Sequence, residues 1–161
     1  MRFGTVPVAE GEGAVLAHSL MLGRKKMPKG RVLSAADLAA ITGAGISEIV
    51  VARLDPGDVG EDRAAEQLAR AMVPDPAAAH LRLTAPQKGR VNFHAKGPGV
   101  VGLDPTAIRS LNLIDPALTL AVLPAFARVA EGTMVATVKV ITYAVAEAAL
   151  ARAMAVAEGA L

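Results

Sequence analysis

The chain has 161 residues, of which 53% are hydrophobic, and 17 basic against 15 acidic residues give it a formal net charge of +2. This composition supports a globular core of one domain or two small lobes. The absence of cysteine excludes disulfides and cysteine-bound metals, and an aromatic content of 2% disfavours stacking platforms for nucleic-acid bases.

No apolar run reaches the roughly 20 residues that a membrane-spanning helix needs. The small positive charge is not by itself the footprint of a nucleic-acid-binding protein. We therefore expect a cytoplasmic protein with neither a membrane nor a nucleic acid as its partner.

The first third of the chain predicts two extended segments, a cationic loop, a helix and a buried strand. The extended segments are 2–8, which ends near Pro7, and 14–22, and the loop is 23–30. Ser34 has the side chain of a helix N-cap, and Asp37 falls in the first turn, where the helix dipole favours an anion. The β-branched run at 46–51 is typical of a buried strand.

A turn at 55–58 precedes a second predicted helix at 61–72, whose alanine, leucine and methionine residues recur at helical spacing. Prolines at 74 and 76 end it, and the linker 73–80 is the best domain boundary. The sequence thus predicts an N-terminal α/β lobe over 1–75 and a strand-rich lobe over 76–161, with a single domain as the alternative.

The second lobe predicts strands at 81–84, 90–94, 100–103, 118–123 and 129–140, a hairpin turn at Lys88–Gly89 and a helix capped by Asp104. An alanine-rich helix at 144–158 closes the chain, and it must pack on another element to be stable. The predicted fold class is α+β, with a mixed or antiparallel sheet.

The first loop concentrates positive charge. Five cations fall within eight positions: Arg24, Lys25, Lys26, Lys29 and Arg31. The functional interpretation is a site for a phosphate group, since lysine supplies charge and arginine a bidentate fork. The alternative is a solvated loop that keeps the domain in solution.

A second polar pattern alternates along one predicted strand. Its members are Lys88, Arg90, Asn92, His94 and Lys96. Side chains repeat every second residue on a strand, so these five would share one face, with Val91 and Phe93 on the other. That face could contact a ligand in a cleft, or it could be the solvated side of an antiparallel sheet.

Lys139 is unusual within the apolar run at 133–141, because a lysine is rarely buried without a partner. It must lie on a solvent face or pair with a carboxylate or a bound anion. Lys88, Arg90, Asn92 and Lys139, with Lys25 and Lys26, are therefore the candidate ligand-binding residues.

No catalytic motif is present, neither a phosphate-binding loop nor a nucleophile elbow. The three histidines lack metal-ligand spacing, and the acidic residues at 55–62 are explained by a turn and a helix start, so no metal site is predicted. An acid/base pair of Asp115 with His94 or Lys139 is conceivable, but their spacing does not support it. Whether the chain is an enzyme stays open.

The segment 23–54 resembles the region that precedes the pterin-binding domain in molybdopterin molybdotransferases and related bacterial molybdopterin-binding proteins, some of them fused to a nucleotidyltransferase. The matching residues are Lys25, Lys26, Lys29, Gly30, Val32, Leu33, Asp37, Leu38, Gly45, Ile46, Ile49 and Val51. Further matches follow in order at 52–69, 88–95, 111–124 and 132–145, so the resemblance spans most of the chain.

The resemblance implies an accessory N-terminal region of a transferase-type, molybdopterin-binding protein in molybdenum cofactor biosynthesis. Its implied cofactor is molybdopterin, with magnesium in the full-length protein, and its implied partners are a pterin or another phosphorylated small molecule and a downstream pterin-binding domain. The glycine-rich turn of that domain does not occur here, so we expect the main pterin site to lie outside this chain.

Two other functions stay open. One is a small-molecule-binding enzyme that uses the strand face at 88–96. The other is a structural dimerisation module, in which the alanine stripe of the last helix forms the interface of a homo-oligomer. This stripe comprises Ala149, Ala153 and Ala157 beside Leu150 and Met154.

Overall fold

The structure, a computed structural model, describes residues 1–161 and has the α+β class that the sequence predicted. Its strands pair antiparallel throughout. The chain divides into two compact units, the N-terminal unit Met1–Pro56 and the C-terminal unit Gly57–Leu161. None of its helices has the length and apolar character needed to cross a membrane.

The N-terminal unit contains five strands, one helix and a short 3-10 turn at Val8–Glu10. In chain order its elements are β1 (Arg2–Pro7), β2 (Val15–Leu16), β3 (Leu20–Leu22), β4 (Lys25–Met27), α1 (Ala35–Gly43) and β5 (Glu48–Arg53). Strand β5 lies between β1 and β2, and β3 and β4 form a separate hairpin. The predicted extended segment 14–22 is therefore two short strands.

Helix α1 begins as the sequence predicted. Ser34 is its N-cap, and the Ser34 hydroxyl and the Asp37 carboxylate form a reciprocal capping box. Ile41 faces inward and is fully buried with Leu16, Leu33 and Val51 in the small core of this unit. A helix this short is marginal alone, so the cap and this packing hold it.

The C-terminal unit contains eight strands and three helices. In chain order they are β6 (Asp58–Gly60), α2 (Glu61–Met72), β7 (Leu81–Leu83), β8 (Arg90–Ala95), β9 (Gly99–Val100), α3 (Pro105–Leu111), β10 (Leu118–Val122), β11 (Arg128–Val129), β12 (Met134–Val140), β13 (Ala144–Ala146) and α4 (Glu147–Ala157). A four-stranded sheet has the order β10-β12-β8-β7. Helix α2 packs on β8 and β12, and α4 packs on α2.

The observed division at Pro56 differs from the boundary predicted near residue 75. Helix α2 turns its apolar side, including Leu68 and Met72, into the same core as Phe93 and Val138 of the sheet. The prolines that follow α2 break the helix, but they do not separate it from the sheet it covers. Pro and Gly punctuation locates turns, whereas packing decides which elements share a core.

The last helix also differs from expectation. Residues Ala144–Ala146 are not helical but form β13, which pairs antiparallel with β6. The alanine stripe of α4 is buried within the C-terminal unit: Ala153 and Ala157 are both fully inaccessible to solvent. The small side chains permit close approach to neighbouring elements of this core, so the stripe is not a free surface for a second copy of the chain.

Candidate functional site

The candidate residues of β8 lie on the uncovered side of the four-stranded sheet. Val91, Phe93 and Ala95 are buried against the helices, while Arg90 is exposed and Asn92 is half-buried. His94 follows the same outward pattern. Lys88 and Lys96 lie just outside the strand, in the turns at its two ends, so the strand places only the three central residues on one face.

Strand pairing brings Lys139 to Arg90. The two residues are directly opposite in the β8–β12 register, and Thr119 of β10 follows in the same row. Like charges in directly opposite positions repel each other and destabilise a sheet. The row therefore concentrates positive charge that a bound anion would neutralise.

Lys139 is the half-buried member of this row. Its ammonium group lies 3.9 Å from the Glu61 carboxylate, and the two side chains retain 27% and 19% of their exposure. It also donates a hydrogen bond to the backbone carbonyl of Lys88. Of the two environments that the sequence allowed for Lys139, the structure shows a carboxylate partner on a partly open face.

The Lys88–Gly89 turn is a two-residue hairpin, as predicted. Both residues have positive φ, 51° and 68°, the combination that type I′ hairpin turns require. Gln87 and Arg90 exchange backbone hydrogen bonds across it. The Asp62 carboxylate at the start of α2 accepts from the Gly89 N–H at 2.6 Å, which fixes the turn beside the helix.

Asn92 is held by polar neighbours on the same face. Its side-chain oxygen accepts a 2.7 Å hydrogen bond from Thr137, which lies directly opposite on β12. Its backbone N–H donates to the Thr84 hydroxyl at 3.0 Å. These contacts fix the side chain one row away from Arg90 and Lys139.

Sequence reasoning missed the contribution of α2 to this site. Glu61 and Asp62 were explained only as acids of the first helical turn, yet one approaches Lys139 and the other fixes the Gly89 turn. The Tyr143 carbonyl accepts from the Glu61 N–H, and burial, followed by the nearby Glu61 charge, raises the pKa of the Tyr143 hydroxyl. No sequence signal links these residues, because they are far apart along the chain.

The remaining candidates, Lys25 and Lys26, belong to the N-terminal unit. Both are exposed on β4, next to Arg24 at the tip of the β3–β4 hairpin. Arg31, by contrast, forms an ion pair with Asp37 at 2.8 Å, so the predicted cluster of five contains one cation that already has a partner. That ion pair fixes Arg31 next to the start of α1.

The acid/base pair considered for an enzyme is not assembled. Asp115 accepts from the Ala117 N–H at 2.8 Å within its own turn. His94 places Nδ1 3.0 Å from the Gly132 carbonyl. Neither residue hydrogen-bonds the other or Lys139, so each has a local structural role.

The chain holds no group of three or more histidine, cysteine, aspartate or glutamate residues that could bind a metal ion. The magnesium that the resemblance implies for the full-length protein stays a prediction. The cations on the sheet are instead suited to an anion, because lysine and arginine side chains donate hydrogen bonds and accept none.

Comparison with protein families gives one match, to a domain of unknown function, DUF8806, over residues 5–53. This stretch runs from β1 to the end of β5 and covers less than half of the chain. No curated protein and no solved structure matches the chain. The matched segment includes the β3–β4 hairpin and the capped helix α1, and it lies wholly within the N-terminal unit.

Proposed function

We propose that this chain is an accessory region of a molybdopterin-binding protein that acts in molybdenum cofactor biosynthesis. In this proposal it contributes binding rather than chemistry, and it works beside a pterin-binding domain. Two kinds of support combine: the ordered sequence motifs that resemble such proteins, and a cationic row on the four-stranded sheet suited to a phosphate group.

The juxtaposition of Arg90 and Lys139 carries the proposal. These cations face each other across two central strands of the sheet, and only one of them has a carboxylate within 4.0 Å. Lys88 follows at the adjoining turn and adds a third positive charge. The excess charge makes the row attractive to a ligand with a terminal phosphate.

A phosphate would engage these residues in different ways. The exposed Arg90 guanidinium can donate two parallel hydrogen bonds, whereas Lys139 acts as a point charge. The Asn92 amide lies in the next row and offers a donor for a neutral part of the ligand. Lys25 and Lys26 form a second cationic surface on the N-terminal unit, where a phosphate could also bind.

The first test is binding of molybdopterin to the full-length protein by native mass spectrometry, with Arg90→Ala as the variant. A charged hydrogen bond contributes about 1.5–3 kcal/mol, so the loss of Arg90 should weaken binding by at least about tenfold. Arg152→Ala is the matched control, because Arg152 is an exposed arginine on α4. Equal binding by Arg90→Ala and Arg152→Ala would show that Arg90 on the sheet does not contact the ligand.

A second test measures cofactor yield in cells whose only copy of the full-length protein carries Arg90→Ala. Lower yield with normal protein abundance would support the biosynthetic function. Unchanged yield from Arg90→Ala and from a Lys88→Ala/Lys139→Ala double variant would contradict it, whatever the binding experiment shows.

A further inference from the structure

A separate cavity of about 360 Å³ lies in the C-terminal unit, at the opposite end of β8 from the Arg90–Lys139 row. Its apolar wall is formed by buried residues of neighbouring strands and by Val101, the residue after β9. The wall residues are Leu81, Ala95, Val101 and Val135. The volume falls at the small end of the range typical of ligand pockets.

Two backbone segments form the rim and are fixed to each other. The Lys96 N–H donates to the His80 carbonyl at 2.9 Å, which joins the turn before β7 to the loop after β8. Farther along the loop, Val101 exchanges backbone hydrogen bonds of 2.9 and 2.8 Å with Ala127 and Phe126. The rim is therefore a defined part of the fold.

Three glycines that follow β8, one of them the first residue of β9, have open space at the position of a β-carbon. Gly97, Gly99 and Gly102 have φ values outside the left-handed region, and a β-carbon built on each would meet no other atom within 4 Å. Neither backbone conformation nor packing requires glycine at these positions. All three line the cavity, where the lack of side chains leaves its mouth open and lets a ligand approach the backbone.

The polar side chains that line the cavity can donate hydrogen bonds to an anion. They are Lys96 and His80, and no aspartate or glutamate side chain lines the cavity, although Leu161, the last residue of the sequence, does. The N–H groups of Gly97 and Gly102 donate no hydrogen bond within the chain. Lys96, His80 and two glycines with available N–H groups thus line the cavity beside its apolar wall.

We propose that this cavity binds a small organic anion with an apolar body. The apolar part would contact Leu81, Val101 and Val135, and the carboxylate or phosphate would accept hydrogen bonds from Lys96 and the loop N–H groups. This site is independent of the proposed cofactor function, because it uses other residues and another end of the sheet.

The test is a titration of the ¹⁵N-labelled chain with octanoate, followed by two-dimensional NMR. Octylamine serves as the probe of opposite charge with the same apolar body. We expect octanoate to shift the amide signals of Gly97, Gly102 and Val101, and octylamine to leave them in place. Shifts elsewhere only, or equal shifts with both probes, would overturn the proposal.

Two variants locate the site. Gly99→Leu places a side chain in the open space and should abolish the octanoate shifts, while Gly4→Leu is the matched control, a strand glycine that also has open space at its β-carbon. Lys96→Gln should weaken octanoate binding by roughly tenfold, and Arg152→Gln, a change at an exposed cation of α4, should not change it. Unchanged binding in both Gly99→Leu and Lys96→Gln would overturn the proposal.

Discussion

Arg31 and Asp37 form a two-point ion pair at the start of helix α1. The Arg31 Nε donates to one carboxylate oxygen of Asp37 at 2.9 Å, and Nη2 lies 2.8 Å from the other. The same carboxylate accepts from the N–H and the hydroxyl of Ser34 at 3.1 and 2.9 Å. One buried aspartate therefore links the strand-like segment before α1 to the helix cap.

This ion pair predicts acid sensitivity of the N-terminal unit. The hydrogen bond from Arg31, followed by that from the Ser34 backbone, lowers the pKa of Asp37 from 3.8 to about 2. A carboxyl group whose pKa is lower in the folded state stabilises the protein above its unfolded pKa, and this contribution is lost as the pH falls. We expect the amides of α1 to lose hydrogen-exchange protection between pH 3.8 and about 2.

The matched experiment uses Asp37→Asn, which should reduce protection at neutral pH and flatten its dependence on pH in the acid range. Glu48→Gln is the control, since Glu48 is an exposed acid of the same unit without these hydrogen bonds. An acid-range slope in Asp37→Asn as steep as in the wild type would assign the effect to other carboxyl groups.

The N-cap itself gives a second prediction. Ser34→Ala removes the hydroxyl that accepts from the Asp37 N–H and donates to its carboxylate. The expected loss is about 1 kcal/mol in the free energy of unfolding of the N-terminal unit, measured with denaturant. Ser47→Ala, a change at an exposed serine before β5, should have a much smaller effect.

The Lys88–Gly89 turn predicts a contrast between two glycines. Gly89 has φ of 68°, and a β-carbon there would lie 2.7 Å from the Val140 carbonyl oxygen, so Gly89→Ala should cost about 2 kcal/mol or more. Gly97→Ala meets neither obstacle, and reduced freedom of its unfolded chain should make it neutral or slightly stabilising. Thermal unfolding of the two variants checks this, and similar losses in both would contradict it.

Local chemistry predicted several features of this fold correctly. The capping residues Ser34 and Asp104, the Lys88–Gly89 turn and the alternation of β8 all follow from interactions within a few residues of each other. The candidate site was predictable to the same extent, because the outward face of β8 could be identified by counting alternate residues.

Features that depend on distant pairing were not predictable. The strand β13 exists because it pairs with β6, about 85 residues earlier in the chain, and its sequence of three small or apolar residues fits a helix equally well. The proximity of Lys139 to Glu61 likewise depends on how α2 packs across the sheet. A single sequence contains no direct signal for either contact.

Reversing the charge of Arg90 should stabilise the protein and abolish its binding of a phosphate ligand. Arg90→Glu would place a carboxylate directly opposite Lys139, and an opposite-charge pair across two strands contributes roughly 0.2–1 kcal/mol. We expect a slightly higher melting temperature and loss of phosphate-ligand binding. Arg82→Glu, opposite His94 in the next pair of strands, is the control and should retain more of the binding. A lower melting temperature for Arg90→Glu would show that Arg90 has a structural role.

Asn112 gives the last prediction, because its side chain pairs with the backbone of an edge strand. Its amide nitrogen donates to the Leu120 carbonyl at 2.9 Å, and its oxygen accepts from the Leu120 N–H at 2.8 Å. Strand β10 is at the edge of the four-stranded sheet, so this amide occupies backbone groups that could otherwise pair with another chain.

Asn112→Ala should therefore cost about 1–3 kcal/mol in the free energy of unfolding, since it leaves a backbone donor and an acceptor without their partners. It should also increase self-association, measured by light scattering at rising protein concentration. Asn112→Asp keeps the acceptor for the Leu120 N–H but turns a carboxylate oxygen toward the Leu120 carbonyl oxygen, so it should also destabilise the protein at neutral pH. The prediction is wrong if Asn112→Ala is as stable and as monodisperse as the wild type. Water would then satisfy the Leu120 backbone groups without a loss in the free energy of unfolding.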